Sequence, residues 1–381
     1  MKKKYIIFSI VTLVLLVSFL SYSKYLKTTN VCKEDVKPTK ITKGISMNLE
    51  QTAGAGDYKT VTQSSWPTEG YKFNSELSRC ENGSEISWDD TKKAVIMQGN
   101  VSDKCYVYFD IWIPSIADYC TSGTDLATCV KNFGNQGPDI SNIFIHNSSL
   151  TNGAGDNSYR YAGASNNVNN YICLGSDATT CPDANLFRII GVFGDKTKVI
   201  RAKSVGTQEW DTNGSNTWST SSLNTYLNGT YLTSLGTLAN KIATTTWKVG
   251  GGTSANIYSS VPKTAYQYEV GSSASSTTVD KKIGLMYVSD YGYAADQSGW
   301  TTKLSSYSSN TSKNWLFLGS NEWTISRNSD ITATAFYVTS TGYVSYITAT
   351  YSFAARPSFN LESSVTYASG SGTSSAPIRI N

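Results

Sequence analysis

Short runs of alternating apolar and polar residues dominate the chain from residue 45 onward. ISMNLEQ, YKTVTQ, YKFNSEL, SEISW, KAVIMQ and CYVYFD follow one another between residues 45 and 110. Gly54–Asp57, Pro67–Gly70 and Asn82-Gly83 supply turns between them. Alternation bounded by turn residues predicts strands, and a series of such strands predicts a small β-sandwich over 45–110. The pattern changes over residues 111–148. Ser115 can cap SIADYC, and Thr124 can cap TDLATCVKNF, which Gly134 ends. Two short helices joining larger domains are expected there.

Residues 149–381 read as one long domain. After a turn at Asn152–Asp156, SYRYAG and NNYICLG are strand candidates. LFRIIGVFGDKTKVIRAKSV has two β-branched runs about Gly194-Asp195 and predicts a hairpin. Trp218, Leu223 and Leu227 share helical spacing, so Trp218–Leu235 predicts a helix capped by Ser219 or Thr220. Tyr266–Glu269 and KIGLMYVSDYGYA predict further strands, or a strand entering a helix. The run from Asn314 to Leu361 holds two tryptophan-anchored strand candidates, a hairpin pattern, and Arg356-Pro357 at the entry to a last strand. APIRI near the end predicts the closing strand.

One stretch has no alternation at all. Tyr5–Tyr22 is uncharged and spans roughly 27 Å as a helix, enough to cross a bilayer. Lys2, Lys3 and Lys4 precede it, which places the N-terminus inside and the remainder outside. Residues 1–23 are therefore expected to be a cytoplasmic tail and transmembrane anchor. A cleaved signal peptide is the alternative, permitted by Ser21-Tyr22-Ser23. Residues 24–44, polar and lysine-rich, read as a stalk.

Charge sharpens this picture. The formal net charge is +4, and residues 1–27 hold five lysines and no acid, which leaves −1 on the rest. Nothing beyond the first segment is basic enough to hold a phosphate backbone, so no nucleic-acid partner is expected. Charged residues make up 16% of the chain, while Tyr alone numbers 25 and Trp 9. That composition suits an exported, turn-rich β protein.

Six cysteines fall into sequence-local pairs: Cys80 with Cys105, Cys120 with Cys129, and Cys173 with Cys181. Export permits their oxidation. Zinc is the rival for any pair, but the chain has no CxxC and one histidine, His146. Cys32 is left over and could link two chains into a dimer. His146, in IFIHNSSL, reads as a strand-edge residue rather than a general base.

Three motifs bear on chemistry. Gly250-Gly251-Gly252 lacks the Gly-Lys-Ser/Thr ending of a phosphate loop and reads as a loop. Asp211-Thr212-Asn213-Gly214-Ser215-Asn216 starts like a calcium loop, but its glycine is displaced and no glutamate follows at the twelfth position. Glu209/Asp211 and Asp290/Asp296 are carboxylate pairs that a glycosidase would use if they converged. The aromatics Trp315, Trp323, Tyr337, Tyr343 and Tyr346 are candidates for a face that stacks on sugar rings, or for core and cross-strand pairs. No cofactor or resident metal is expected.

The order LFRIIGV…KVIRA, Trp218-x-x-Ser221-x-Leu223-Asn224-x-x-Leu227-Asn228, KIGLMYVS, Trp323-Thr-x-Ser326, then Ala335, Val338, Gly342, Val344 and Arg356-Pro357, resembles an uncharacterised domain of exported proteins from Gram-positive gut-type bacteria. The resemblance covers about residues 150–381. More remotely, the closing block is similar to C-type-lectin-like surface domains, whose fold the formylglycine-generating enzymes share. The chain has no cysteine after Cys181 and lacks the Glu-Pro-Asn and Trp-Asn-Asp sugar motifs, so neither chemistry carries over. The resemblance implies a fold and a displayed binding surface.

The expected fold class is therefore α+β: a transmembrane helix, a disulfide-tied β-sandwich module, and a larger mixed C-type-lectin-like domain. The expected function is that of a membrane-anchored extracellular binding or adhesion protein, single-pass, with an unknown protein or glycan ligand and no evident catalytic activity. A carboxylate-based hydrolase of envelope or host glycans and a ligandless structural envelope protein are the alternatives. Any ligand surface is expected in the loops near Ser326–Thr332 and Tyr343–Tyr351.

Overall fold

A computed structural model of the chain describes residues 34–36, 44–62, 65–67, 69–100 and 102–381. The expected transmembrane segment at 5–22, most of the stalk and Cys32 lie outside the described residues. The chain divides into two compact units, one ending at Ile113 and the other beginning at Pro114.

In the first unit, β1 (Glu34–Val36), β6 (Ala94–Gln98) and β5 (Glu85–Asp89) form a sheet in the order β1-β6-β5. β3 (Tyr58–Val61), β2 (Ile45–Glu50), β7 (Cys105–Ile111) and β4 (Tyr71–Cys80) form the other, in the order β3-β2-β7-β4. Each strand from β2 onward matches one of the alternating runs in the sequence. Met47, Leu49, Val95, Val107 and Phe109 form the core, joined by Trp66. The Cys80–Cys105 disulfide ties the paired ends of β4 and β7.

The second unit holds β8 (Ile143–Ile145), β9 (Tyr159–Tyr161), β10 (Tyr171–Cys173), β11 (Leu186–Phe193), β12 (Lys196–Arg201), β13 (Thr207–Glu209), β14 (Thr245–Lys248), β15 (Thr278–Lys281), β16 (Ile283–Gly284), β17 (Glu322–Arg327), β18 (Thr334–Val338), β19 (Val344–Thr348), β20 (Ser352–Ala354) and β21 (Ser358–Asn360). One sheet runs β16-β21-β12-β11-β9-β8, with β10 also on β11. Its centre is the expected β11–β12 hairpin, turned at Gly194. A second sheet runs β13-β20-β17-β18-β19. The disulfides Cys120–Cys129 and Cys173–Cys181 complete the three expected pairs.

The expected α+β class is corrected by this structure, which is mostly sheet: 33% strand against 21% helix. Among the described residues no helix is long and apolar enough to cross a membrane. Helices stay short because the apolar period is interrupted within a few turns. Trp218–Leu235 breaks into a 3₁₀ turn, a helix at Ser222–Tyr226 and a π turn at Leu227–Tyr231. Ser221, not Ser219 or Thr220, caps it, accepting from the Asn224 N–H at 3.1 Å. Tyr266–Glu269, expected as a strand or as part of a strand entering a helix, is the end of a helix begun by Pro262, whose fixed φ suits a first helical position. The helix Leu126–Gly134, expected in a connector, buries Leu126, Val130 and Phe133 in the second unit's core.

The 314–361 stretch serves the two larger sheets of the second unit. Its strands β17 to β20 build the five-stranded sheet, and Arg356-Pro357 then leads the chain to β21, which pairs with β12. Arg356 is buried and binds Glu322 through two hydrogen bonds, of 2.6 and 2.8 Å.

Candidate functional site

Register sorts the five predicted aromatics. In β18, Phe336 and Val338 point to the core, so Tyr337 points to the opposite face. Tyr337 stands opposite Trp323 on one side and Ser345 on the other. On β20, Phe353 stands opposite Gln208 of β13. Trp323, Tyr337 and Ser345 thus form a row across three strands, and the Gln208–Phe353 pair lies on the same face, diagonal to Trp323 because β20 pairs with β17 through Ala354 and Glu322. Tyr343, two residues before Ser345, shares the face by alternation.

The rings on this face pack on one another. Phe353 lies 4.8 Å from Trp323 and 4.6 Å from Tyr337, centroid to centroid. Tyr351, from the turn before β20, lies 6.0 Å from Phe353 and is 52% exposed. Trp323 is fully buried beneath this layer, its indole N–H donating to the Gln208 carbonyl at 2.9 Å. Trp323 is therefore the floor, while Tyr337, Tyr343, Tyr351 and Phe353 form the accessible layer. Burial raises the Tyr337 phenol above its ordinary value, opposed by a hydrogen bond with Ser345, and the nearby Tyr343 and Tyr351 push in the same direction as burial. Tyr337 stays a neutral hydroxyl.

Trp315 and Tyr346 are elsewhere. Trp315 is buried, donates to the Tyr161 carbonyl at 2.8 Å and packs under the Arg188 guanidinium. Tyr346 lies on the core face against Phe336 and Tyr258. Sequence reasoning missed Phe353 and Gln208 as site residues, while Tyr351 closes the Tyr343–Tyr351 loop it named. Phe353 and Gln208 sit on three-residue strands, too short to show a period, and Tyr351 sits in a turn.

Asp211, Asp290 and Asp296, singled out from the sequence, are each engaged in structural bonds. Asp211 accepts from the Ser215 and Ser222 N–H groups and ties its own loop. In the same loop the Asn216 amide donates to the carbonyls of Asn328, Ile331 and Thr334. Both Asp211 carboxylate oxygens are thus engaged in turn bonds, and the Asn216 amide nitrogen pins the loop to 328–334. Asp290 is buried and binds Lys198 at 2.5 Å, with Arg160 at 3.6 Å. Asp296 accepts from the Ser298 N–H at a helical turn. His146 is buried, its Nδ1 accepting from the Ala154 N–H at 3.1 Å, and burial pushes it down to about 2.

Among the described residues, Cys80, Cys105 and Asp103 are the one grouping of potential metal ligands. The two sulfurs form a disulfide, and Asp103 accepts from the Asn82 and Ser84 N–H groups. Those donors leave it a turn-stabilising role. Gly251 has φ +64°, and a Cβ there would sit 2.0 Å from the Arg327 carbonyl oxygen. The triple glycine is thus explained by close backbone approach to β17.

Comparison of the chain with protein-family models, curated proteins and solved structures found no match. The aromatic face is the arrangement that departs furthest from what packing alone requires. A solvated sheet face ordinarily carries polar side chains. Here four aromatic rings occupy it, rimmed by the neutral groups of Gln208 and Ser345.

Proposed function

We propose that the protein binds a saccharide on the outer face of the five-stranded sheet, outside the cytoplasm. The observation that carries this reading is the aromatic layer of Tyr337, Tyr343, Tyr351 and Phe353 over buried Trp323. Sugar rings present a C–H face that packs on aromatic rings, and their hydroxyls bond to neutral donors and acceptors at the edge. The rim supplies Gln208, Ser345 and the tyrosine hydroxyls. Sparse charge favours a neutral ligand, and the three disulfides support an oxidising compartment.

A glycan array probed with the whole exported chain, wild type and Phe353→Ala side by side, tests the reading. The expected result is binding to a defined set of glycans that the substitution weakens about tenfold, the usual scale for one aromatic contact. An array with no glycan bound, or binding indifferent to Phe353, would count against it.

A further inference from the structure

A separate cavity of about 310 Å³ lies away from the aromatic face and is lined by Phe187, Arg201, Val205, Tyr231, Leu235 and Leu238, with Asn185 and Ser234 among its polar residues. Tyr231 is 7% exposed, and its hydroxyl has no hydrogen-bond partner among the described residues. A buried hydroxyl left unpaired is unfavourable by roughly 1–3 kcal/mol, so such groups ordinarily find a partner or serve a ligand. Tyr231 closes the π turn Leu227–Tyr231. Such turns are rare and recur at functional sites. Arg201 uses Nη1 on the Ser204 carbonyl at 2.9 Å and Nε weakly on Ala184, which leaves Nη2 without a partner among the described residues. Burial raises the Tyr231 phenol, and the Arg201 charge opposes that rise, which places the two groups within electrostatic reach of each other.

We propose that this cavity binds a small monocarboxylate with an apolar body. The carboxylate would accept from Arg201 Nη2 and the Tyr231 hydroxyl, and the hydrocarbon part would lie against Phe187, Leu235 and Leu238. The buried unpaired hydroxyl and the half-exposed guanidinium can together hold one carboxylate, and a guanidinium favours the anion over a neutral acid. Gly175 and Leu238 also line an adjoining cavity of about 570 Å³, which contains Lys241 and Arg379.

Calorimetric titration of the whole chain with hexanoate tests the proposal, with hexylammonium as the charge-reversed control. Hexanoate is expected to bind saturably at one site, and hexylammonium not at all. Tyr231→Phe, which removes only the hydroxyl, is expected to weaken hexanoate about tenfold. Arg201→Gln is expected to abolish saturation. An unchanged thermal transition in Tyr231→Phe certifies its fold. No saturable heat by about 20 mM hexanoate, or equal binding by both variants, would overturn the site. Neither outcome bears on the aromatic face, which shares no residue with this cavity.

Discussion

Single buried ionisable groups set how the second unit responds to pH. Glu269 is buried and accepts from the N–H groups of Val288 and Ser289 and from the Ser326 hydroxyl. Burial pushes its carboxyl from 4.5 up to about 7, against those donors. The folded state thus holds this proton more tightly than the unfolded chain does. Stability should fall as pH rises from about 4.5 to about 7, by up to about 3 kcal/mol, and then level off. Denaturant titrations at pH 5 and pH 7.5 should show that slope in the wild type and its loss in Glu269→Gln. Asp156 acts in the opposite sense. Burial works against its charge, but Arg160 and Ser158 hold it down at about 2. Its contribution is present above 3.8 and disappears as pH drops through about 2. Arg356 illustrates a third case. Arg356→Met leaves Glu322 buried without its partner and should lower stability by about 3–5 kcal/mol, measured by chemical denaturation.

At the scale of elements, the hairpins and the helix Leu126–Gly134 were legible, and the course of the longer helical stretch was not. The β11–β12 hairpin shows in the sequence because two β-branched runs flank Gly194-Asp195. The strands of the first unit show because each alternates and ends at a turn. Local pairing of cysteines was legible for the same reason, since each pair bridges neighbouring elements. Trp218–Leu235 was not legible as a broken helix. Its spacing is helical, but Ser221 starts a new cap inside it and a π turn follows. The aromatic face was half legible. Alternation placed Tyr337 opposite Phe336 in orientation, but no local period ties Phe353 to Tyr337. Their meeting depends on β20 pairing with β13 and β17, far apart in sequence. The Cys80–Cys105 bond is the device that holds the first unit's small core together. Replacing both cysteines by serine should lower its stability by about 3.5 kcal/mol in the chain-entropy view, read as an earlier denaturant midpoint.

For the whole molecule, the two units differ in what they offer. The first encloses a small core under a disulfide and is predominantly sheet. The second combines two larger sheets with buried ion pairs and carries both candidate sites. Tyr337, Phe353 and the floor Trp323 of its aromatic face lie on strands of the five-stranded sheet, with Tyr343 and Tyr351 at the flanking turns, and Trp323 is fixed by a hydrogen bond to Gln208. A preformed face of this kind loses little freedom on binding. Substitutions on it should therefore change affinity without changing fold. Tyr351→Ala, at the most exposed ring, should leave the thermal transition unmoved while weakening saccharide binding.

Equilibrium titration of the whole chain with the oligosaccharide that the array binds best is the most direct test of saccharide binding by this face. Wild type, Tyr351→Ala, Phe353→Ala and the double variant should be measured by calorimetry under identical conditions. The predicted result is a single site, weakened about tenfold by each substitution and lost to measurement in the double variant, with all four proteins equally folded. Equal affinity across the four folded proteins would contradict it.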